Sequence, residues 1–204
     1  MSVDLTQSQA QQLDAFAGLV EKWNKGMNLV SRRDIQRLVP RHLLDSLAAA
    51  PFVRGHSLLD VGTGPGLPGL PLAIANPEVS VTLWERMSRR VRFLQLACRE
   101  LSLDNVRIQE RDLYQREPDE VPEQFDVIVA RAVAPIATLW PAMRGCLNAQ
   151  GRLIVYSHVA DAEERRAVPA ELEGLAEYSY MVPGLDNEHF LQIAPNPTSP
   201  TQGG

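Results

Sequence analysis

A cluster of glycines after a short apolar run constrains the fold of this chain more than any other feature. The sequence there reads Asp60-Val61-Gly62-Thr63-Gly64-Pro65-Gly66-Leu67-Pro68-Gly69, and the apolar run before it suits a buried strand. A strand, a glycine loop and a helix in this order form the ligand site of a doubly wound sheet, outside the carboxyl end of the first strand. The loop therefore predicts an α/β fold of the Rossmann-like type, a mostly parallel twisted sheet with helices on both faces.

Short apolar runs alternate with helical patterns from residue 57 onward, which indicates repeated strand-helix units. Strands are predicted at 57–61, 79–84, 106–109, 125–130 and 152–156, and helices at 68–75, 88–101, 136–147 and 162–167. Two further strand-like pieces, 177–182 and 189–193, follow one another without a helix between them. They predict an antiparallel hairpin that closes one edge of the sheet.

The chain opens with helices. Apolar residues at spacings of three and four predict an amphipathic helix over 5–27, with Thr6 and Gln9 as its capping box. A second helix is predicted over 40–50, with Leu43, Leu44 and Leu47 on its inner face. At 204 residues the chain is too short for two sizeable domains. We expect a single domain over 1–194, comprising a helical N-terminal extension (1–54) and a Rossmann-like core (55–194), followed by a disordered tail (195–204).

Charge is unevenly distributed along the chain. The formal net charge of -5 argues against a protein that holds naked nucleic acid by bulk electrostatics. Yet the segment from Lys22 to Arg54 contains seven cations and only two acids, and the segment from Arg86 to Arg99 contains five arginines and no acid. Such runs are either solvated faces or surfaces that an anionic partner approaches.

Two absences set further expectations. No apolar run approaches the roughly 20 residues that a membrane helix needs, and the first residues lack the pattern of a secretory signal. The two cysteines, Cys98 and Cys146, lie far apart without metal-ligand spacing. We therefore expect a cytoplasmic protein with no membrane partner and no metal.

The glycine loop satisfies two ligand patterns. Gly64 to Gly69 reads G-x-G-x-x-G, the dinucleotide fingerprint, whereas Asp60 to Gly66 reads D-x-G-x-G-x-G, as in Rossmann-like methyltransferases. A dinucleotide rests its pyrophosphate on a helix amino terminus, but S-adenosylmethionine carries an ammonium, a carboxylate and a sulfonium. An acid at Asp60 and bare backbone at Gly62 and Gly64 suit the second ligand, although Asp60 also suits a loop or capping role.

Three other strand ends supply candidate ligand contacts. Glu85, after the second strand, suits hydrogen bonds from a ribose diol of either ligand, or a capping role. Asp112, with Leu113 beside it, follows the third strand and suits either a contact with an adenine ring or an ordinary loop role. Arg131 closes the apolar fourth strand, and because burying its charge unpaired would be costly, we expect it to face a pocket.

These residues belong to a longer set that resembles one family. The set adds the runs Trp23-Asn24-Lys25, Asn28-Leu29-Val30-Ser31, Arg41-His42-Leu43-Leu44-Asp45-Ser46 and Arg131-Ala132-Val133-Ala134. Together they resemble the ribosomal RNA small subunit methyltransferase G family, also called glucose-inhibited division protein B, over about residues 13–193. The resemblance implies the class I methyltransferase fold and methyl transfer from S-adenosylmethionine to N7 of guanine 527, in the 530 loop of 16S ribosomal RNA.

The resemblance also implies roles for individual residues. Cofactor contacts are expected from Gly62, Leu67, Asp112, Leu113 and Arg131. Three pairs depart from the family's usual residues: Glu85-Arg86, Asp112-Leu113 and Ser157-His158.

On the substrate side we expect Arg41, His42 and Arg131, with His42 either reaching the pocket or serving in capping or packing. Guanine N7 carries a lone pair and no proton, so we expect catalysis by positioning, without a general base. The acidic overall charge favours 16S rRNA within the small ribosomal subunit, or an assembly intermediate of it, as the partner.

Three rival functions remain open at the level of sequence. A methyltransferase of small molecules or proteins would keep the loop but tolerate charge reversal at Arg32, Arg33 and Arg37. A nicotinamide-dependent oxidoreductase would bind NAD in preference to S-adenosylmethionine. A non-catalytic RNA-binding or assembly factor would retain the fold without methyl transfer.

Overall fold

Seven strands form one sheet in the computed structural model, which describes residues 3–114, 122–158, 172 and 174–196. The strands are β1 Ser57–Val61, β2 Ser80–Glu85, β3 Val106–Glu110, β4 Phe125–Arg131, β5 Leu147–His158, β6 Ala176–Met181 and β7 Glu188–Pro195. Their order across the sheet is β3-β2-β1-β4-β5-β7-β6. Strands β1 to β5 pair in parallel, and β7 runs antiparallel between β5 and β6. The mostly parallel sheet and its edge hairpin are confirmed.

Five α-helices accompany the sheet in the described part of the chain: α1 Gln7–Met27, α2 Asp45–Leu47, α3 Gly69–Ala75, α4 Ser88–Glu100 and α5 Ile136–Met143. None of the described helices combines the length and the apolar character required to cross a membrane. The helix predicted at 162–167 lies outside the described residues.

Helix α1 begins and packs as its sequence predicts. The Thr6 hydroxyl accepts the Gln9 backbone N–H, and the Gln9 side chain accepts the Thr6 backbone N–H, which completes the capping box. The Gln9 side-chain amide also donates to the carbonyl of Ile74 at 2.9 Å, and that of Gln12 donates to the carbonyl of Leu101 at 2.9 Å. Helix α1 thereby satisfies carbonyls at the carboxyl ends of α3 and α4.

The predicted second helix takes a different form. A π-helical stretch, Val39–Leu44, runs directly into α2, and a short 3₁₀ turn, Ala50–Phe52, follows. The wider π turn changes which side chains point inward. Leu43 and Leu47 are each 4% exposed as expected, but Leu44 is 37% exposed, so the inner-face prediction for Leu44 is wrong.

The hydrophobic core has two layers, one on each face of the sheet. Alternate residues of a strand point to opposite faces. Leu58 therefore packs in the layer beneath α1, α3 and α4, and Leu59 packs in the layer beneath α5. The central strands are apolar on both faces, as a parallel sheet covered by helices requires.

Strand β5 starts earlier than its sequence predicts. It begins at Leu147, opposite Phe125, and the register then shifts so that Arg152 faces Val127. Helix α5 correspondingly ends at Met143, four residues before the predicted end. At the other end of the chain β7 reaches Pro195, and the rest of the predicted tail after Asn196 lies outside the described residues.

Candidate active site

A cavity of about 350 Å³ lies where the sheet reverses its order. Strand β1 has β2 on one side and β4 on the other, so the loop after β1 and the residue that ends β4 meet at the switch point of the sheet. The cavity is lined from the loop by residues 62–65 and 67, from β4 by Arg131, and from the N-terminal segment by Leu29, Val30, Asp34, Arg41, His42 and Asp45. We call it the glycine-loop cavity.

The Asp60 side chain holds the glycine loop in place through hydrogen bonds. Its carboxylate is fully buried and accepts hydrogen bonds from the Thr63 hydroxyl at 2.5 Å and from the Gly69 backbone N–H at 2.7 Å. The other carboxylate oxygen, Oδ1, has no hydrogen-bond partner among the described residues. Burial raises the pKa of Asp60 to about 7, against the lowering effect of these hydrogen bonds. Asp60 thus ties the loop to the start of α3, and it does not line the cavity.

Three glycines of the loop, Gly62, Gly64 and Gly66 (φ +95°), adopt backbone conformations of positive φ, which side chains disfavour. Gly62 has φ +65° and Gly64 has φ +60°. A Cβ atom at Gly62 would lie 2.9 Å from a methyl carbon of Val133, whereas one at Gly64 would approach only Arg90 Nη1, at 3.9 Å. The loop therefore presents bare backbone with open space next to Gly64.

Arg131 projects into the cavity with its guanidinium held on several sides. Nη1 donates to Asp45 Oδ2 at 2.9 Å and to the carbonyl of Arg41 at 3.4 Å, and Nη2 donates to His42 Nδ1 at 3.2 Å. The side chain is 11% exposed, so this charge is buried and paired. A guanidinium has five N–H donors, and these three contacts leave two for a ligand.

Asp45 lines the cavity as well, although it is not among the site residues predicted from the sequence. It is 1% exposed and accepts hydrogen bonds from Arg131, from the Tyr180 hydroxyl at 2.8 Å and from His189 Nδ1 at 2.8 Å. Desolvation alone would raise the pKa of Asp45, but the His189 hydrogen bond, the Arg131 charge and the Tyr180 hydrogen bond lower it to about 2. The signal in the sequence was its place in the Arg41–Ser46 run that carries the family resemblance, as an acid inside an apolar stretch.

His42 is uncharged in this setting. Burial and the neighbouring Arg131 charge lower its pKa to about 4. Because Arg131 can only donate, His42 Nδ1 is the acceptor and the ring proton sits on Nε2. That Nε2 is buried and has no partner among the described residues. His42 lines the glycine-loop cavity, as one of its two predicted roles requires. Arg41 lines the same cavity and lies 3.6 Å from Asp34.

The ends of β2 and β3 frame a second cavity, of about 500 Å³, lined by Arg86, Met87, Glu110, Arg111 and Asp112. We call it the strand-end cavity. Asp112 lies 3.6 Å from Arg86 and accepts the backbone N–H of Tyr114 at 3.0 Å.

Glu85 contacts residues of both cavities without lining either. Its carboxylate is buried and accepts the Met87 backbone N–H at 2.8 Å, while Oε2 lies 3.6 Å from Arg90 of the glycine-loop cavity. Arg86 of the strand-end cavity is its immediate neighbour in the chain.

The structure brings most of the predicted site residues together. Gly62, Gly64, Leu67, Arg41, His42 and Arg131 line the glycine-loop cavity. Asp112 lines the strand-end cavity. Leu113 is partly buried against the core layer beneath α5 and lines neither cavity. Asp60 and Glu85 lie behind the walls, where their carboxylates hold the backbone of the loop and of the β2–α4 turn.

Solved structures share this architecture. The S-adenosylmethionine-dependent methyltransferase SibL superposes with a TM-score of 0.61 at 21% identity, over 95% of this chain and 62% of that one. Precorrin-6y C5,15-methyltransferase from Geobacter metallireducens GS-15 superposes with a TM-score of 0.56 at 14% identity, over 83% of this chain and 91% of that one. The chain has the Rossmann-like fold of the class I methyltransferases.

Sequence relatives narrow the class to a family. A model of the rRNA small subunit methyltransferase G family, GidB, matches residues 9–191. The ribosomal RNA small subunit methyltransferase G of Escherichia fergusonii is 37% identical over 197 residues, which cover 95% of this chain and 93% of the relative. The Klebsiella pneumoniae (strain 342) protein of the same name is 41% identical over 193 residues, covering 94% and 91%. The chain belongs to the rRNA small subunit methyltransferase G family.

Proposed function

We propose that this chain is a methyltransferase that transfers a methyl group from S-adenosylmethionine to N7 of guanine 527 in 16S rRNA of the small ribosomal subunit. The observation that carries the proposal is the glycine-loop cavity, where bare loop backbone faces the fixed guanidinium of Arg131. Relatives named for methylation of small-subunit rRNA support the RNA substrate. The enzyme would act in the cytoplasm, where that RNA is assembled into subunits.

The two cavities fit the parts of S-adenosylmethionine. The open space beside Gly64, with Gly62 and Leu67 around it, suits the amino-acid portion of the cofactor. The end of β2, where Glu85 lies next to Arg86 of the strand-end cavity, suits the ribose diol, and the strand-end cavity at Asp112 suits the adenine, with Leu113 close by in the chain. Asp60 acts indirectly in this proposal, because it holds the loop in shape.

S-adenosylmethionine supplies an electrophilic methyl group on a sulfonium. The task left to this chain is to hold the guanine at the correct angle and to exclude water, because N7 has no proton to remove. Arg131 has two N–H donors left, and the neutral His42 ring adds its Nε2–H. Guanine presents two acceptors, N7 and O6, on the same edge. We assign Arg131 and His42 to the positioning of that edge through O6, and we assign Arg41 to a backbone phosphate.

The N-terminal segment is part of the catalytic unit in this proposal. It supplies Asp34, Arg41, His42 and Asp45 to one wall of the cavity, and the loop and β4 supply the other. We therefore propose that 1–54 and 55–194 work as one domain rather than as a core with an optional extension.

Transfer of a labelled methyl group tests the proposal directly. Small subunits that lack the modification are incubated with labelled S-adenosylmethionine, and the labelled base is mapped on the 16S rRNA. We expect label at a single guanine N7. Absence of label from subunits that are otherwise competent would contradict the proposed function.

Two further measurements separate the rival functions. Calorimetry with S-adenosylmethionine and with NAD distinguishes the cofactors, and only the first is expected to bind. Charge reversal at Arg32, Arg33 and Arg37, all exposed, is expected to weaken methylation of subunits while leaving S-adenosylmethionine binding intact. Full activity of that triple variant would favour a substrate other than RNA.

A further inference from the structure

A groove of about 530 Å³ runs between the end of α1 and the outer side of α4. The residues that give it its character are Trp23, Met27, Arg89, Arg92, Phe93 and Arg99. We call it the α1–α4 groove. None of these residues lines the glycine-loop cavity or the strand-end cavity.

Trp23 forms an exposed aromatic surface at this groove. Its side chain is 38% exposed, whereas Trp84 and Trp140, the other two tryptophans of the chain, are 4% and 2% exposed. Met27 and Phe93 extend the apolar surface alongside it. A large indole left in water at the edge of an apolar groove is typical of a surface that stacks against a flat ligand.

The charged side chains that line the groove are all cationic among the residues that the structure describes, and Gln95 adds a neutral polar group. Arg89, Arg92 and Arg99 line it, and the carboxylates of Glu21 and Glu100, although on the same helices, do not. This local charge is opposite in sign to the net charge of -5 of the chain. Arginine pairs bidentately with phosphate and stacks on aromatic rings, so the lining suits a ligand that combines phosphates with flat bases.

The groove adjoins the proposed active site. Arg89 lines the groove and donates to the carbonyl of Gly26, which fixes α4 against the end of α1. Arg90, the next residue, lines the glycine-loop cavity and lies 3.6 Å from Glu85. A polymer whose target base enters the cavity would therefore have neighbouring nucleotides within reach of the groove.

We propose that the α1–α4 groove binds an unpaired nucleotide of the substrate RNA, with the base stacked on Trp23 and the flanking phosphates paired with Arg92 and Arg99. Unpaired RNA is commonly held by such pairing of aromatic stacking with a cationic track. This inference rests on the proposed function for the identity of the RNA. The groove itself is defined by residues that the methyl transfer does not use.

The test combines a binding signal with kinetics. The binding probe is a six-nucleotide single-stranded RNA, titrated against the intrinsic fluorescence of the full chain, in which Trp23 is the exposed tryptophan. The kinetic probe is the small subunit. Variants are Trp23→Ala, Trp23→Phe as the stacking-competent replacement, and the pair Arg92→Glu with Arg99→Glu. Arg144→Glu, an exposed charge reversal after α5, is the matched control.

We expect the RNA to quench wild-type fluorescence. We also expect Trp23→Ala and the double charge reversal each to raise the KM for subunits by roughly tenfold or more. Their kcat and S-adenosylmethionine affinity should stay within about twofold of the wild type, and Trp23→Phe should recover most of the KM. Arg144→Glu should behave like the wild type. All substituted positions are exposed apart from their groove contacts, and thermal melting verifies that each variant is folded.

Each contrary outcome has a distinct meaning. Failure of the wild type to methylate subunits contradicts the proposed function, while the fluorescence titration still tests the groove. Normal methylation with no quenching and an unchanged KM in the groove variants overturns the groove proposal. A raised KM without any RNA quenching also overturns it, because the occupant would then be a protein segment of the particle.

Discussion

Arg131 combines charge, geometry and partial burial in a way that no other residue type reproduces. Its planar guanidinium reaches Asp45, His42 and the carbonyl of Arg41 at once. Arg131→Lys keeps the charge but cannot make this set of contacts. Because misplacement of a positioning group by about 1 Å can cost on the order of a hundredfold in rate, we expect Arg131→Lys to lower kcat/KM by roughly that factor.

Arg131→Ala is expected to be more severe, because it removes the donors and leaves Asp45 buried without its cation. Steady-state kinetics with small subunits, together with calorimetry of S-adenosylmethionine, measure both variants. Thermal melting separates loss of function from loss of fold. Wild-type turnover by Arg131→Lys would refute the positioning role.

Asp60 gives a second prediction at this scale, on the pH dependence of stability. Its pKa is raised from 3.8 to about 7 in the folded chain. A raised folded pKa means that the native state holds the proton more tightly than the unfolded state. The stabilisation that the protonated Asp60 contributes to the folded state is therefore complete below about pH 4. It is lost as the pH rises toward 7, and the loss is on the order of a few kcal/mol.

Asp60→Asn removes this titration, while its side-chain oxygen can still accept from Thr63 and Gly69. We expect the free energy of unfolding of the variant, relative to that of the wild type, to increase steadily between pH 4 and pH 8. Urea unfolding at several pH values measures the difference. Parallel pH profiles for the two proteins would show that Asp60 is ionised throughout this range.

At the scale of elements, the start of α3 depends on a close approach to the sheet. A Cβ atom at Gly69 would lie 2.3 Å from a methyl carbon of Leu83 and 2.6 Å from Asp60 Oδ2. Gly69→Ala must therefore move α3 away from β2 or displace Asp60, and such overpacking typically costs about 1–3 kcal/mol.

The matched control for Gly69→Ala is Gly18→Ala. Gly18 is exposed in α1 with nothing within 4 Å of its Cβ position, so alanine there should stabilise the chain by about 0.5–1 kcal/mol. Denaturant unfolding compares the two variants. Similar free energies of unfolding for both would mean that α3 accommodates the added methyl group without strain.

The helices and strands differ in how well the sequence predicts them. The first strand matches its prediction, Ser57–Val61, because a buried parallel strand is a nearly continuous apolar run bounded by a glycine loop. The helix after α1 was predicted, but its inner face was wrong at Leu44, because a π-helical stretch leaves no signature in a pattern of spacing 3.6. Asp45 was missed because its partners lie 86 to 144 residues away in the chain. The local pattern of apolar residues predicts which side chains are buried, but it does not predict which distant residues pair.

Asp45 also links distant parts of the whole molecule. It joins α2 to β4 through Arg131, to β6 through Tyr180 and to β7 through His189. Removing one partner from a buried ion pair typically costs about 3–5 kcal/mol, so we expect Asp45→Asn to destabilise the chain by that order.

The pH dependence of Asp45 is opposite in sign to that of Asp60. Because the pKa of Asp45 is lowered to about 2, the stabilisation that its ionised carboxylate contributes is present above about pH 4 and is lost as the pH falls through 2. The gap in stability between wild type and Asp45→Asn should therefore narrow on acidification below pH 4. Chemical unfolding at pH 7, pH 4 and pH 2.5 measures it, and a gap that stays constant would mean that Asp45 titrates normally in the folded chain.

The distribution of charge over the whole molecule leads to the last prediction. The net charge is -5, yet the cations are concentrated between Lys22 and Arg54 and along α4. An acidic protein with local cationic surfaces is repelled by a polyanion except in a limited set of orientations. A folded particle presents its RNA in one fixed shape, whereas protein-free RNA presents many. We therefore expect methylation of assembled small subunits, or of an assembly intermediate, to exceed methylation of protein-free 16S rRNA by at least roughly tenfold in kcat/KM.

The dependence of KM on salt concentration provides a second test of this prediction. If only a few cations contact phosphates, the slope of log KM against log salt is shallow, and charge reversal at Arg92 and Arg99 should make it shallower still. The same slope should be unchanged in Arg144→Glu, which lies on the opposite side of the sheet from α4. Equal rates on particles and on protein-free RNA, with a steep salt dependence for both, would instead mean that the chain recognises RNA by bulk charge despite its acidic surface.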